Sequence, residues 1–455
     1  MSTSPISVLL GGRIVATITP DRRGNGSLRY ADEHMSQTDA VPLSLSLPLS
    51  EAEFNTDRTM RWLGGLLPDN PRVLSRWYAN EGVSPPTPLA LLSTKVGRDC
   101  AGAVQIVPEG QEAELLELPG GLTAISDEEV ASEVRQMASD LSYWMPDDEE
   151  KYFSLGGYQA KTALHRLSDG RWARPYGSVP TTHILKPSPL TQQASAIVEH
   201  VCLELARRLG MSAAESEMAT FDETNVCVIS RYDRRKSDGV WLRVHQEDMC
   251  QALGRQPQDK YEAHGGPGIS QIGDAIRANC RDPEREIESF RDAILYCWLI
   301  VNRDAHARNY SVILRPSGVS LAPLYDLGSV LPGANRRIGG YEMAMRFGRD
   351  HTVVRSHADD SLSTLSAYLV ANHQSTLDRA MEMAAGIVPA AEQTMNALPV
   401  QYQVPQLEKM LKRLSRRADE CSDTVERAVR RLSRQRASRR AQRSGGTDGH
   451  RCSGS

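Results

Sequence analysis

Two apolar runs, Ile6-Ser7-Val8-Leu9-Leu10 and Ile14-Val15-Ala16-Thr17-Ile18, flank Gly11-Gly12, the pattern of a β-hairpin. Pro42-Leu43-Ser44-Leu45-Ser46-Leu47 alternates with period two, as a half-buried strand does. Trp62 to Asn70 closes an element, and Pro71 is placed to open a helix running through Trp77. Asp99 to Val107 reads as the closing strand of a strand-rich first region, residues 1–110. A polar, acidic joint at Asp147-Asp148-Glu149-Glu150 precedes a second region that starts near residue 150.

The second region begins with Phe153-Ser154-Leu155-Gly156-Gly157-Tyr158-Gln159-Ala160-Lys161, a glycine turn expected between two strands. Thr181 to Leu185 is a strand that ends in Lys186-Pro187. Gln192 to Leu209 reads as a helix, with Ile197, Val201 and Leu205 on one stripe and Gly210 as its stop. Val226 to Asp233 forms a further strand, and Tyr310 to Leu314 with Val319 to Leu321 a hairpin turning at Pro316-Ser317-Gly318. Between Pro405 and Leu432 apolar residues recur at helical spacing: Leu407, Met410, Leu411 and Leu414, then Val425, Val429 and Leu432. Residues 433–455 form a basic tail rich in arginine, expected to be disordered beyond about Ser438.

A chain of 455 residues, 40% hydrophobic and 24% charged, has room for two or three domains and a sizeable core. Its net charge of −4 argues against nucleic-acid binding by the whole surface, although the tail is a local exception able to meet phosphates. The eight cysteines are scattered and none forms a CxxC pair, which points to buried thiols in a reducing compartment and away from zinc or redox motifs. The N-terminus lacks a basic, apolar leader and no segment is apolar enough to span a bilayer, so a cytoplasmic location without membrane contact is expected.

The chemistry concentrates in Asn302-Arg303-Asp304-Ala305-His306-Ala307-Arg308-Asn309 and, after the hairpin, Asp326-Leu327-Gly328. An Asp with an Asn five positions on, then a D-x-G, is the spacing of a kinase catalytic loop and its metal-binding motif. Such a reaction needs an Asp beside the incoming hydroxyl, and an Asn and a second Asp to hold the magnesium that carries the ATP phosphates. Adjacent glycines let backbone N–H groups approach phosphate oxygens, although a plain β-turn has the same sequence. Lys186 sits where a kinase needs a positive charge for those phosphates. Glu199 and Glu204 are the helical carboxylates able to reach it, and Glu204 is expected to stay solvated. His306 is expected to brace the loop and not to shuttle protons.

The motifs Gly65-Leu66-Leu67-Pro68-Asp69-Asn70, Ser154 to Thr162, His183 to Lys186, Ser230-Arg231-Tyr232-Asp233-Arg234, His245-Gln246-Glu247-Asp248-Met249-Cys250-Gln251-Ala252-Leu253-Gly254 and Asn302 to Asp326 together resemble the HipA-type serine/threonine kinase toxins of bacterial HipBA toxin–antitoxin modules. The resemblance covers roughly residues 5 to 400. Read without it, the HQEDMCQALG block is a helix start with acidic residues in its first turn.

The resemblance implies a two-lobed, α+β, protein-kinase-like fold. A strand-rich N-terminal subdomain would precede a small-lobe core at 150–235 and a mainly helical C-lobe at 236–432. It implies Asp304 as catalytic base and Asn309 and Asp326 as Mg2+ ligands. Lys186 would hold ATP, with Glu199 orienting it. Ser154, Leu155, Gly156, Gly157, Tyr158 and Gln159 would form the loop over the nucleotide, and Ser230, Tyr232 and Asp233 the adenine end. Ser154 matches the serine that this family phosphorylates on itself, where added charge would repel the nucleotide. The expected partners are a HipB-like helix-turn-helix antitoxin, DNA indirectly through that complex, and a protein substrate of the aminoacyl-tRNA synthetase class. Arg308 in place of the family's usual Lys, Ser230 in place of Glu, and the bulky Tyr158 depart from the pattern and bear on substrate preference and nucleotide affinity. The same catalytic spacing also serves small-molecule kinases, and an idle fold would act only as a corepressor.

Overall fold

β1 (Ile6–Leu10) and β2 (Arg13–Pro20) make the expected hairpin in the computed structural model, with Gly11 and Gly12 both at positive φ in its turn. The structure describes residues 4–116, 120–144, 153–333, 338–348, 350–353 and 361–444. β3 (Gly26–Tyr30), β4 (Glu53–Phe54) and β5 (Val104–Pro108) complete an antiparallel sheet of order β4-β3-β2-β1-β5. The helix Pro71–Asn80 follows Asn70, whose side chain accepts from the Arg72 N–H at 3.0 Å.

The alternating segment Pro42 to Leu47 is not a strand. It folds into turns with one bridge between Ser44 and Leu47. The cause is a buried carboxylate from far away in sequence: Glu247 accepts from the Ser44 hydroxyl (2.5 Å) and the Leu45 N–H (2.7 Å). A donor turned toward that carboxylate is lost to a β ladder.

A second antiparallel sheet runs β10-β11-β9-β7-β8-β6. Its strands are β6 (Gly121–Ile125), β7 (Thr162–Arg166), β8 (Trp172–Tyr176), β9 (His183–Pro187), β10 (Ser216–Phe221) and β11 (Thr224–Ser230). Edge strand β6 thus comes from before residue 150. The acidic joint at 147–150 lies outside the described residues. The strand expected ahead of the glycine turn is reduced to one bridge between Ser154 and Cys100, closed by Ser154 N–H to Asp99 and Ala101 N–H to Ser154. On this sheet lies the helix Ser195–Arg208, with Ile197, Val201 and Leu205 fully buried. It starts three residues after Gln192, because Gln192 and Ser195 first close a turn through the Pro189 and Gln192 carbonyls.

Buried charges fasten the two sheets together. Asp99 receives Arg231 (3.3 Å), Arg234 (2.9 Å) and Arg243 (3.0 Å), while Asp233 accepts from the Gly102 N–H at 2.7 Å. Removing one partner of such a network leaves an uncompensated buried charge, at a cost of roughly 3–5 kcal/mol.

The larger lobe is mainly helical, with the helices Pro283–Ile300, His373–Ala397 and Pro405–Ser444. A ribbon of β12 (Arg234–Ser237) and β13 (Val240–Arg243) leads into a sheet of β14 (Gln246–Asp248), β15 (Ser311–Arg315) and β16 (Gly318–Leu321). The HQEDMCQALG block is therefore strand followed by a short helix, Met249–Ala252. Its acidic residues lie on the strand and at the cap: Asp248 accepts from the Gln251 N–H (2.9 Å), and Gln251 reaches back (3.2 Å).

The last helix corrects the expected disorder after Ser438, since it continues to Ser444. Between Ser433 and Ser444 the chain has neither Gly nor Pro and is built largely of Arg, Ala and Gln, all good helix formers. Residues 445–455 lie outside the described part. The seven cysteines among the described residues are free and buried, and no helix among those residues is long and apolar enough to cross a membrane.

Candidate active site

The helix Pro283–Ile300 ends with Val301 in the left-handed conformation (φ 53°), which turns the chain into the loop Asn302 to Asn309. That loop is cross-braced. The Asn302 side chain accepts from the Asp304 N–H (3.1 Å), and the Asp304 carbonyl accepts from the Asn309 amide (2.7 Å) and the His306 N–H (2.8 Å). The Asp304 carboxylate projects outward, with 59% of its side chain exposed, and accepts from the Tyr261 hydroxyl at 2.5 Å. His306 is buried beneath it, and that burial pushes its pKa down to about 4. A neutral ring 3.8 Å from Asp304 suits a brace better than a second proton carrier.

The β15–β16 hairpin then returns the chain to Asp326, which adopts a positive φ of 54°. A non-glycine residue held there signals a conformation imposed by its surroundings, and such residues cluster at functional sites. Those surroundings include Lys186, whose ammonium lies 2.7 Å from Asp326 and 2.5 Å from Glu199. Burial opposes the Lys186 charge, but the Asp326 and Glu199 carboxylates outweigh it and raise the lysine's pKa. Burial likewise works against the Asp326 carboxylate, and Lys186 and Lys161 overcome it, holding Asp326 ionised. Glu204 instead meets Arg207 on the surface at 3.6 Å.

Leu155, Gly156, Gly157, Lys186, Ser230, Tyr232, Asp233, Asn309 and Asp326 line one cleft. Three residues grouped with this loop by sequence do not line it. Tyr158 projects into solvent at 59% exposure, Gln159 is half-buried outside the lining, and Ser154 is wholly buried behind the turn. The Ser154 hydroxyl donates to the Leu66 carbonyl at 2.6 Å. Gly157 suits its place because its φ of 103° is one that other residues rarely adopt; a Cβ on Gly156 would press on the Arg308 guanidinium at 2.5 Å, and one on Gly157 on the Lys161 ammonium at 2.6 Å. At the other end, the Ser230 N–H is taken by the Glu215 carbonyl (2.9 Å), and Asp233 is held by Arg231 and Arg234. Tyr232 and Tyr325 bring ring faces to this end, 5.7 Å apart.

Several residues at the site carry no signal in the spacing of the catalytic motifs. Lys161 is buried, donates to the Gly156 carbonyl at 2.7 Å and lies 4.4 Å over the Trp144 ring. Burial pushes its pKa down to about 7, and the charge on Lys186 adds to the shift. Arg308 turns inward and bonds Asp69, Asp248 (2.8 Å) and the Gly65 carbonyl (2.5 Å). Lys260 reaches the same Asp69 at 2.7 Å. Asp69 and Lys161 lie inside quoted motifs, where their neighbours were the only signal; Lys260 and Tyr261 lie in none.

The donor set fits magnesium. Asp326 and Asn309, both lining the cleft, offer a carboxylate and an amide oxygen, hard ligands suited to a cation that keeps its remaining positions for phosphate and water. Among the described residues no cluster of three or more His, Cys, Asp or Glu offers the alternative of an all-protein metal cage.

A six-stranded small-lobe sheet, a helical large lobe and a lysine–glutamate–aspartate set between them define a kinase-like α+β protein. Residues 6–107 match the HipA N-terminal domain and residues 153–432 the HipA-like C-terminal domain, and the chain belongs to the HipA family. It is 35% identical over 362 residues to "Putative kinase Y4mE" of Sinorhizobium fredii, covering 79% of this chain and 84% of that one. It is 31% identical to the serine/threonine-protein kinase toxin HipA of Shewanella oneidensis over 65% of this chain and 68% of that one. The solved complex of Shewanella oneidensis HipA with HipB and operator DNA aligns over 93% of this chain and 99% of that one, with a TM-score of 0.81 and 25% identity.

Proposed function

We propose that this protein is a serine/threonine protein kinase toxin that moves the γ-phosphoryl group of ATP onto a protein hydroxyl. The observation that carries this reading is Lys186 held between Glu199 and Asp326 in a cleft that Asn309 also lines. Lys186 would neutralise phosphate charge, and Glu199 would keep it aimed. Backbone at Gly156 and Gly157 would close over the phosphates. Asp326 and Asn309 would hold magnesium, which when bound supplies charge neutralisation for the transferring group. Asp304 would accept the acceptor's proton as the acceptor oxygen bonds to phosphorus and the bond to the ADP oxygen breaks.

The relatives support a further part of the reading. A HipB-like antitoxin would be the partner, with DNA reached through that complex, since the Shewanella protein aligned above assembles with HipB and operator DNA. An aminoacyl-tRNA synthetase would be the target, with growth arrest as the outcome, and phosphorylation of Ser154 would silence the enzyme. These rest on family resemblance and on the charge logic of a phosphate beside a phosphate-binding turn.

Labelling a bacterial lysate with [γ-³²P]ATP tests the reaction. The purified protein should transfer label to protein bands, and Asp304→Gln should abolish that transfer while ATP affinity stays within a few-fold. Near-native transfer by Asp304→Gln would remove Asp304 from the role of base. Label appearing only in small molecules would overturn the protein substrate.

A further inference from the structure

The loop backbone fixes where Asp304 sits but leaves its carboxylate to rotate. The bonds from Asn302 and Asn309 reach only its main chain, and the side chain is more than half exposed. Among the described residues, one hydrogen bond reaches the carboxylate, from the Tyr261 hydroxyl to Oδ1 at 2.5 Å.

Tyr261 is itself held by its neighbours. Its ring stands edge-on to His306, with centroids 5.0 Å apart and planes at 87°. Its carbonyl accepts from both His264 and Gly266 N–H groups at 3.0 Å. On one side Lys260 is tied to Asp69 (2.7 Å), and the Lys260 carbonyl accepts from the Ala307 N–H (3.3 Å). On the other side Glu262 is paired with Arg346 at 2.7 Å. Burial, then the adjoining Asp304, raise the phenol's pKa, so the hydroxyl remains a donor. A turn so fully anchored delivers one polar atom to the carboxylate and holds it there.

We infer that Tyr261 is a positioning residue: its hydroxyl occupies Oδ1 of Asp304 and thereby turns Oδ2 toward the acceptor. This rests on the reading of Asp304 as the base. A rotating carboxylate would present its oxygen to the acceptor only part of the time, and misplacement of about 1 Å costs on the order of a hundredfold in rate. Tyr261 does not touch the nucleotide cleft, so the loss should fall on turnover and not on ATP binding.

Four proteins test it: the native chain, Tyr261→Phe, Asp304→Gln and the double variant. ADP release from Mg-ATP and ³²P transfer into a bacterial lysate give the rates; isothermal titration with ATP gives the affinity. Phenylalanine keeps the ring against His306, so the fold should hold and its melting temperature serves as the control. The expected result is a roughly ten- to hundredfold fall in kcat for Tyr261→Phe with KM and Kd for ATP within about twofold. In the Asp304→Gln background the same substitution should leave the residual rate of ADP release unchanged, because a residue acting through Asp304 has nothing left to orient. An unchanged kcat for Tyr261→Phe, or an equal fall in both backgrounds, would overturn the inference while leaving the base assignment standing. Full turnover by Asp304→Gln would overturn the base assignment and this inference together.

Discussion

Arg308 of the catalytic loop and Asp69 of the N-terminal subdomain form a buried ion pair that joins segments 239 residues apart. Arg308 also spans to Asp248 and to the Gly65 carbonyl, a reach that a planar guanidinium provides and an ammonium does not. The arginine that departs from the family's usual lysine is thus matched to three acceptors.

Asp69→Ala leaves buried Arg308 and partly buried Lys260 without their shared carboxylate. Denaturant melts should show a loss of roughly 3–5 kcal/mol. Arg308→Lys should fall between that variant and the native chain. A loss within about 1 kcal/mol for Asp69→Ala, typical of surface pairs, would mean the pair carries no weight.

Lys161 is a buried ammonium with a carbonyl and an aromatic face beside it, and no carboxylate among the described residues lies within ion-pair distance. Such a charge favours an arriving phosphate and disfavours the empty fold. Lys161→Met should therefore raise the melting temperature without nucleotide and weaken ATP binding by roughly ten- to a hundredfold, the worth of one charge-assisted hydrogen bond. Titration calorimetry and thermal melts read the two opposite signs.

Ser154 cannot meet the catalytic base while its hydroxyl faces Leu66 inside the fold. If self-phosphorylation occurs, the glycine loop must first come out, so the modified protein should be cut by protease within that loop faster than the unmodified one. Mass spectrometry after incubation with Mg-ATP should find one phosphate, at Ser154, with activity falling in step. Ser154→Ala should stay active; continued self-inactivation of that variant would sink the regulatory role.

Burial pushes Glu247 up to about 7, while the Leu45 N–H and Ser44 hydroxyl pull it partway back. An acid whose folded pKa is raised binds its proton more tightly when folded, so its contribution to stability is greatest below its unfolded pKa near 4.3 and declines until about pH 7. Melting temperatures of the native chain should contain this decline between about pH 4.5 and 7. Glu247→Gln should flatten it, and an identical slope in both proteins would contradict the assignment.

Features that depend on neighbours in sequence were legible beforehand. The β1–β2 hairpin, the apolar stripe Ile197-Val201-Leu205 and the turn between β15 and β16 all follow from local periodicity and glycine placement. Lys186 and Glu199 could be singled out because each lies in an element whose type the sequence reveals, and Asp326 through the D-x-G that follows the hairpin; the folded chain brings them within hydrogen-bonding distance. Contacts spanning the chain were not legible. Nothing near Ser44 announces Glu247, and nothing near Tyr261 announces Asp304, because each partner is supplied by the folded chain. The final helix was misread for a different reason: an arginine-rich segment without an apolar stripe has the composition of a solvated tail, yet its helix propensity extends the turn already formed upstream.

The turn from Gly65 to Asp69 meets both the glycine loop and the catalytic loop of the nucleotide cleft. The Leu66 carbonyl holds Ser154, the Asp69 N–H donates to the Gly157 carbonyl at 2.8 Å, and the Gly65 carbonyl with the Asp69 carboxylate grips Arg308. The two family modules accordingly cannot be exchanged as independent parts. A large fragment beginning near residue 150 would lose the wall against which its phosphate loop packs, leaving Lys260 without Asp69 and Arg308 with Asp248 alone. Inheritance of the first hundred residues is thus bound to the chemistry of the last three hundred, and a change at Asp69 must be answered at Arg308.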